Sequence, residues 1–127
     1  FPVDRSRKDT ASLRTALAVL KAGEVLGMFP EGTRSTTGDL QELRTGALRL
    51  AIRNRAPLIP AGIEGTDRSL PPHSRFPKPA KVTIAFGAPI DLSALYDHRP
   101  TEAEMAKASE ELGAALDHLR DIGRSAW

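Results

Sequence analysis

The run Val25-Leu26-Gly27-Met28-Phe29, closed by Pro30, constrains this chain more than any other stretch. A short apolar segment ended by a proline reads as a buried strand. The residues that follow at once are polar or charged: Glu31, Gly32, Thr33, Arg34 and Ser35. A buried strand that opens directly into such a loop belongs to an α/β layer, where ligands are held on loops at strand ends. Here a carboxylate and a guanidinium stand three positions apart around a glycine. Arg34 offers a planar fork of donors suited to phosphate or carboxylate, and Gly32 lets the backbone come close to a ligand.

The segments on either side fit the same architecture. After Phe1-Pro2-Val3-Asp4-Arg5 and a polar turn, Asp9 or Thr10 caps a helix with Leu13, Ala16, Leu17 and Leu20 on one face, stopped by Gly23. The strand from about Glu24 to Phe29 follows, then a polar loop to about Glu42. A second helix, roughly Leu43 to Arg55, groups Ala47, Leu48, Ala51 and Ile52 against a basic face of Arg49, Arg53 and Arg55. Pro57 leads into a further apolar run, Leu58 to Ile63. Strand, helix, strand, helix, strand predicts an α/β fold with a mostly parallel sheet and crossover helices. A proline-rich loop from Gly65 to Lys78, a strand from Lys81 to Phe86 and a long helix from Thr101 to about Ile122 complete the chain. Thr101 and Glu104 have the spacing of a capping box. The last helix is apolar along Met105, Ala108, Leu112, Ala115, Leu116, Leu119 and Ile122, the pattern of a helix that covers a core.

At 127 residues there is room for one domain. The chain opens at Phe1, within what reads as a strand end, so we expect a piece of a longer protein, truncated at the N-terminus. The absence of cysteine excludes disulfides, thiolate metal sites and a cysteine nucleophile, and is consistent with a reducing compartment. No apolar stretch reaches the ~20 residues needed to cross a bilayer, and no signal peptide is evident. The net charge of +2 is unevenly spread: residues 1–55 carry ten basic and six acidic side chains, residues 82–127 four and eight. The basic part contains the Phe29–Ser35 loop, as an anionic ligand would require.

Phe1-Pro2-Val3-Asp4-Arg5 and Phe29-Pro30-Glu31-Gly32-Thr33-Arg34 both begin Phe-Pro and both end in arginine. If the two strands are parallel neighbours, Arg5 and Arg34 share one sheet edge and can converge on a phosphate monoester. The spacing leaves a second reading open, in which both are surface arginines salt-bridged to Asp4 and Glu31.

These residues also resemble the glycerolipid acyltransferases, the family that includes 1-acyl-glycerol-3-phosphate acyltransferase. Phe29 to Ser35 matches that family's FPEGTRS block without a departure, and Phe1 to Arg5 is similar to the end of the block before it. Arg44-Thr45-Gly46-Ala47 resembles the family's basic-x-Gly-Ala helix start, and Ile59-Pro60-Ala61-Gly62-Ile63 its Val-Pro-Val segment. The elements occur in family order over most of residues 1–65. The resemblance implies that residues 1–127 are the C-terminal portion of a single acyltransferase domain. It also implies that Arg5, Glu31, Gly32, Thr33 and Arg34 hold a glycerol-phosphate lipid acceptor. The donor implied is acyl-CoA or acyl carrier protein, no cofactor or metal is called for, and the work is done at the cytoplasmic face of a membrane.

One family element has no counterpart here. The family's base is the histidine of a His-x-x-x-x-Asp block, and His73, His98 and His118 are followed at the fifth place by Lys78, Ala103 and Gly123. All three read as solvated positions, and no catalytic residue is assigned within this chain; the expected place of the base is upstream of Phe1. Other chemistries find less support. The Gly27–Arg34 stretch has P-loop glycine spacing but lacks the required lysine, and no His/Asp/Glu cluster has metal-ligand spacing. With one Trp and one Tyr, aromatics are not interleaved with basic residues as nucleic-acid binding would require. Ser12 and Ser35 have no adjacent base. Two function classes follow: the acceptor-binding part of an acyltransferase, or a non-catalytic phosphate- or lipid-binding module on the same fold.

Overall fold

The computed structural model describes residues 1, 10–32, 39–71 and 73–126. Their elements run α1 (Thr10–Lys21), α2 (Gly46–Asn54), β1 (Ala61–Glu64), α3 (Thr66–Ser69), β2 (Thr83–Phe86), a 3₁₀ turn (Ser93–Leu95) and α4 (Glu102–Ser125).

The core is built between α2 and α4. Leu48, Ala51 and Ile52 from one helix meet Met105, Ala108, Leu112 and Leu116 from the other, with Leu92 closing the end. These are the apolar faces that 3.6-residue periodicity marks out in the sequence. Leu48 is wholly buried. The arginines expected on the opposite side of α2, Arg49, Arg53 and Arg55, are exposed. Arg55 ends the helix in the left-handed region (φ 49°), where its guanidinium bonds Asp97 at 2.8 Å and lies 5.7 Å from the centre of the Tyr96 ring. Helix α1 packs on α2 and buries Ala16; of the rest of the apolar face expected there, Leu17 and Leu20 are half-buried and Leu13 is exposed.

Helix α4 opens as the sequence predicts. The Thr101 hydroxyl accepts from the Glu104 amide at 3.2 Å, and the Glu104 carboxylate accepts from the Thr101 amide at 2.8 Å. Two otherwise orphan donors are thus satisfied reciprocally. The C-terminal turns of α4 leave the helical core and cover the sheet. There Glu64, buried on β1, accepts from Arg120 Nε at 2.8 Å, with Arg124 at 3.4 Å.

The sheet differs from expectation in two ways. First, the described strands pair antiparallel, Ala61 opposite Phe86 and Glu64 opposite Thr83, and the bridge Leu58–Ile90 extends the same sense. The mostly parallel sheet with crossover helices is therefore not met among the described residues. A parallel return needs a crossover long enough to traverse the sheet. The prolines between Pro71 and Pro79 forbid a long helix, so the chain makes only the single-turn α3 before coming back. Second, residues 24–29 form no strand. A strand exists only where a neighbour takes up its ladder hydrogen bonds. No described segment runs beside this one, and Val25 and Phe29 are 94% and 78% exposed rather than buried.

Candidate functional site

The Phe29–Gly32 turn is positioned by hydrogen bonds from both directions. The Gly32 amide donates to the Phe29 carbonyl at 3.1 Å, tightening the turn. The Arg44 amide donates to the Pro30 carbonyl at 2.8 Å, and the Gln41 amide donates to Glu31 Oε2 at 2.7 Å. Two residues just ahead of α2 are thereby fastened to two residues of the turn, and the loop between them has a closed neck. Gly32 sits at φ +69°, a conformation that costs a residue with a β-carbon. The Arg44 side chain lies directly over it: Nε, Cδ and Cζ are 2.9, 3.1 and 3.2 Å from the place a β-carbon would take.

An open cleft of about 600 Å³ runs along this neck, lined by Glu31, Gln41, Glu42, Leu43, Arg44 and Thr45. It is polar on the side of Glu31 and Arg44. Thr45 precedes α2 without capping it through its side chain; its hydroxyl instead accepts from Arg49 Nε at 3.3 Å.

Of the five residues expected to bind substrate, Glu31 and Gly32 are brought together at this neck. Arg5, Thr33 and Arg34 lie outside the described residues. The carboxylate of Glu31 is engaged by a backbone amide, which makes it a loop clamp in this geometry. Two residues of the neck were not anticipated as site residues. Gln41 carries no signal in the sequence, because it contributes a backbone N–H that any residue but proline possesses. Arg44 does carry one: it is the basic residue two places before Gly46.

A second, smaller cleft of about 210 Å³ includes Asp91, Glu104, Lys107 and Glu111. Asp91 is held below the usual carboxylate range by the hydroxyl and then the amide of Ser93. Glu104 is held below its ordinary value first by the Thr101 amide and then by the His98 ring. His98 Nε2 lies 2.9 Å from Glu104 Oε2, so this histidine is exposed but paired, where the sequence suggested only a solvated position. Its carboxylate partner is already spent on the helix cap, which suits structure better than proton transfer. His73 and His118 are exposed, as expected. No group of three or more metal-ligating side chains occurs among the described residues. No helix among them is long and apolar enough to cross a membrane.

Comparison with known proteins extends these observations. The chain is similar to the 1-acyl-sn-glycerol-3-phosphate acyltransferase of Bacillus subtilis, 32% identical over 121 residues, covering 95% of this chain and 57% of that protein. It is similar to the enzyme of the same name from Cocos nucifera, 36% identical over 91 residues, covering 69% of this chain and 30% of the relative. Among solved structures it resembles the 1-acyl-sn-glycerophosphate (LPA) acyltransferase PlsC from Thermotoga maritima. That similarity has a TM-score of 0.67 at 27% identity, over 91% of this chain and 46% of the other. The chain thus spans about half the length of these two bacterial proteins. The family model described as Acyltransferase matches residues 1–64, the half that contains the Phe29–Gly32 turn, its neck and β1. With that match laid over the motif order read from the sequence, the chain belongs to the acyltransferase family.

Proposed function

We propose that this chain supplies the acceptor-binding part of an enzyme that moves an acyl group onto a hydroxyl of glycerol 3-phosphate or its 1-acyl form. The donor in this reading is a thioester, acyl-CoA or acyl carrier protein. A thioester carbonyl is already activated, so the reaction needs a base for the attacking hydroxyl and a means of holding both substrates. The base is the histidine of a His-x-x-x-x-Asp segment outside these 127 residues, since none of His73, His98 and His118 has that spacing. It takes the hydroxyl proton as the oxygen attacks the carbonyl, and the thiolate leaves as the ester forms. This chain holds the acceptor phosphate. Arg34, with Arg5, grips the phosphate oxygens, and Glu31 and Gly32 shape the turn that presents Arg34. The product is a lipid, so in this reading the work is done at a membrane surface, taken to be the cytoplasmic face.

The observation that carries this reading is the unbroken Phe29-Pro30-Glu31-Gly32-Thr33-Arg34-Ser35 sequence inside the span matched by the family. The test uses labelled acyl-CoA and acyl carrier protein with each acceptor. The 127-residue chain alone is expected to transfer nothing, and the chain joined to a His-x-x-x-x-Asp segment is expected to transfer. In the active form, Arg34→Ala and Arg5→Ala should each lower kcat/KM for the phosphorylated acceptor about tenfold or more, the size of a lost charge-assisted hydrogen bond. Unchanged acceptor kinetics in both variants would remove the phosphate-site assignment. Phosphate or lysolipid binding with no transfer in any form would favour the non-catalytic module.

A further inference from the structure

We infer that Arg44 is a further cation for the acceptor phosphate, set against Gly32 at the neck of the loop. This inference rests on the acceptor-phosphate reading above and adds a residue to it.

Three observations carry it. Arg44 is fixed at its backbone: its amide donates to the Pro30 carbonyl at 2.8 Å, so the residue cannot move independently of the turn. Its side chain lies over Gly32, with Nε 2.9 Å from where a β-carbon would sit. The glycine at position 32 therefore makes room for a guanidinium as well as allowing φ +69°. Finally, the charge is uncommitted. Arg55, Arg120 and Arg124 are each held by a carboxylate, whereas Arg44 forms no ion pair among the described residues and its side chain is exposed on the wall of the 600 Å³ cleft.

The neighbouring charges explain what an additional cation would do here. Glu31 and Glu42 line the same cleft. Glu31 accepts from the Gln41 amide, and with two carboxylates on this wall a dianionic phosphate is better held when more than one cation meets it. Arg44 stands over Gly32, the last described residue of the turn. An arginine is also the residue suited to this place. Its planar fork can lie against the flat backbone at Gly32 and still direct N–H donors outward, which an ammonium cannot do.

The experiment is a titration of the 127-residue chain with sn-glycerol 3-phosphate, followed by phosphorus NMR and calorimetry, with glycerol and with inorganic phosphate as controls. Arg44→Ala is expected to weaken glycerol 3-phosphate binding about tenfold or more. Arg44→Lys should recover part of that loss, by returning the charge without the fork. Gly32→Ala should weaken binding similarly while leaving the charge count unchanged, because the added methyl displaces the guanidinium. Circular dichroism and the Tm of each variant separate loss of binding from loss of fold, and Arg44→Lys serves should the alanine variant not fold. If Arg44→Ala and Gly32→Ala bind like the parent chain while Arg34→Ala does not, Arg44 has no such role and the phosphate site itself stands. If the parent chain shows no preference for glycerol 3-phosphate over glycerol, the phosphate site fails and Arg44 with it. Loss in Arg44→Ala with none in Arg34→Ala keeps Arg44 and removes Arg34.

Discussion

Gly32 and Gly62 are both crowded, but by neighbours of different kinds, and the difference decides what an added methyl does. At Gly32 the obstructing atoms are the far end of the Arg44 side chain, which can swing aside. The stability cost of Gly32→Ala is then mainly that of a left-handed alanine, about 1–2 kcal/mol. At Gly62 a β-carbon would stand 2.7 Å from Leu119 Cβ and 2.8 Å from the Arg120 backbone nitrogen. A helix backbone cannot step aside without taking the Glu64–Arg120 pair with it. Gly62→Ala should therefore destabilise the chain by about 3 kcal/mol or more, the upper range for overpacking. Urea unfolding of both variants checks the order: a Gly62→Ala midpoint equal to the parent's would mean that α4 does not lie this close to β1. The position was visible in the sequence only as a glycine inside an apolar run. Its crowding comes from Leu119, 57 positions later, and no local pattern reports that.

Helix α4 is the element most legible beforehand, because its start, its apolar face and its cap are all set by residues within a few positions of one another. The cap gives a prediction with a definite sign. Glu104 titrates below the ordinary glutamate value in the folded chain because the Thr101 amide and His98 favour its charged form. A carboxylate depressed in this way adds stability that is fully present above the unfolded pKa, near 4.3, and is lost as pH falls through the lower folded value. The Tm of the parent chain should fall as pH drops below about 4.3, and Glu104→Gln should lower the Tm at pH 7 and flatten that part of the curve. Thr101→Ala removes the other half of the box and should cost about 1 kcal/mol at neutral pH. Residues 24–29 are the opposite case. Their composition suits a strand, but a strand is a relation between two segments, and apolar content by itself does not supply the second one.

At the scale of the whole molecule, the two-stranded sheet is covered on one face and bare on the other. Gly62 and Glu64 face α4, while Ile84 and Phe86, 55% and 73% exposed, lie on β2 with nothing described above them. Val25 and Phe29 add further exposed apolar surface. Apolar patches and open strand edges of this kind favour association. The chain should therefore self-associate as concentration rises, and the double variant Ile84→Lys, Phe86→Lys should associate less without losing helix content. Light scattering over a concentration series tests both, and a parent chain that stays monomeric throughout counts against the bare face as described. The positions of β1 and β2 are legible in the sequence to within about three residues, yet the sense of their pairing is not. The prolines between Pro71 and Pro79, which bar a long crossover helix, mark a loop in the sequence but not the sense in which the chain returns.

The sequence by itself determined the three longer helices, the cap of α4, the anion-suited loop and the family, because each depends on side chains close together in the chain or on their order along it. Tertiary structure alone decided which strands pair and in which sense, which glycines are crowded, and that Arg44 lies over Gly32. Those are contacts between residues brought together from distant positions, and their energies come from packing that only the folded chain creates.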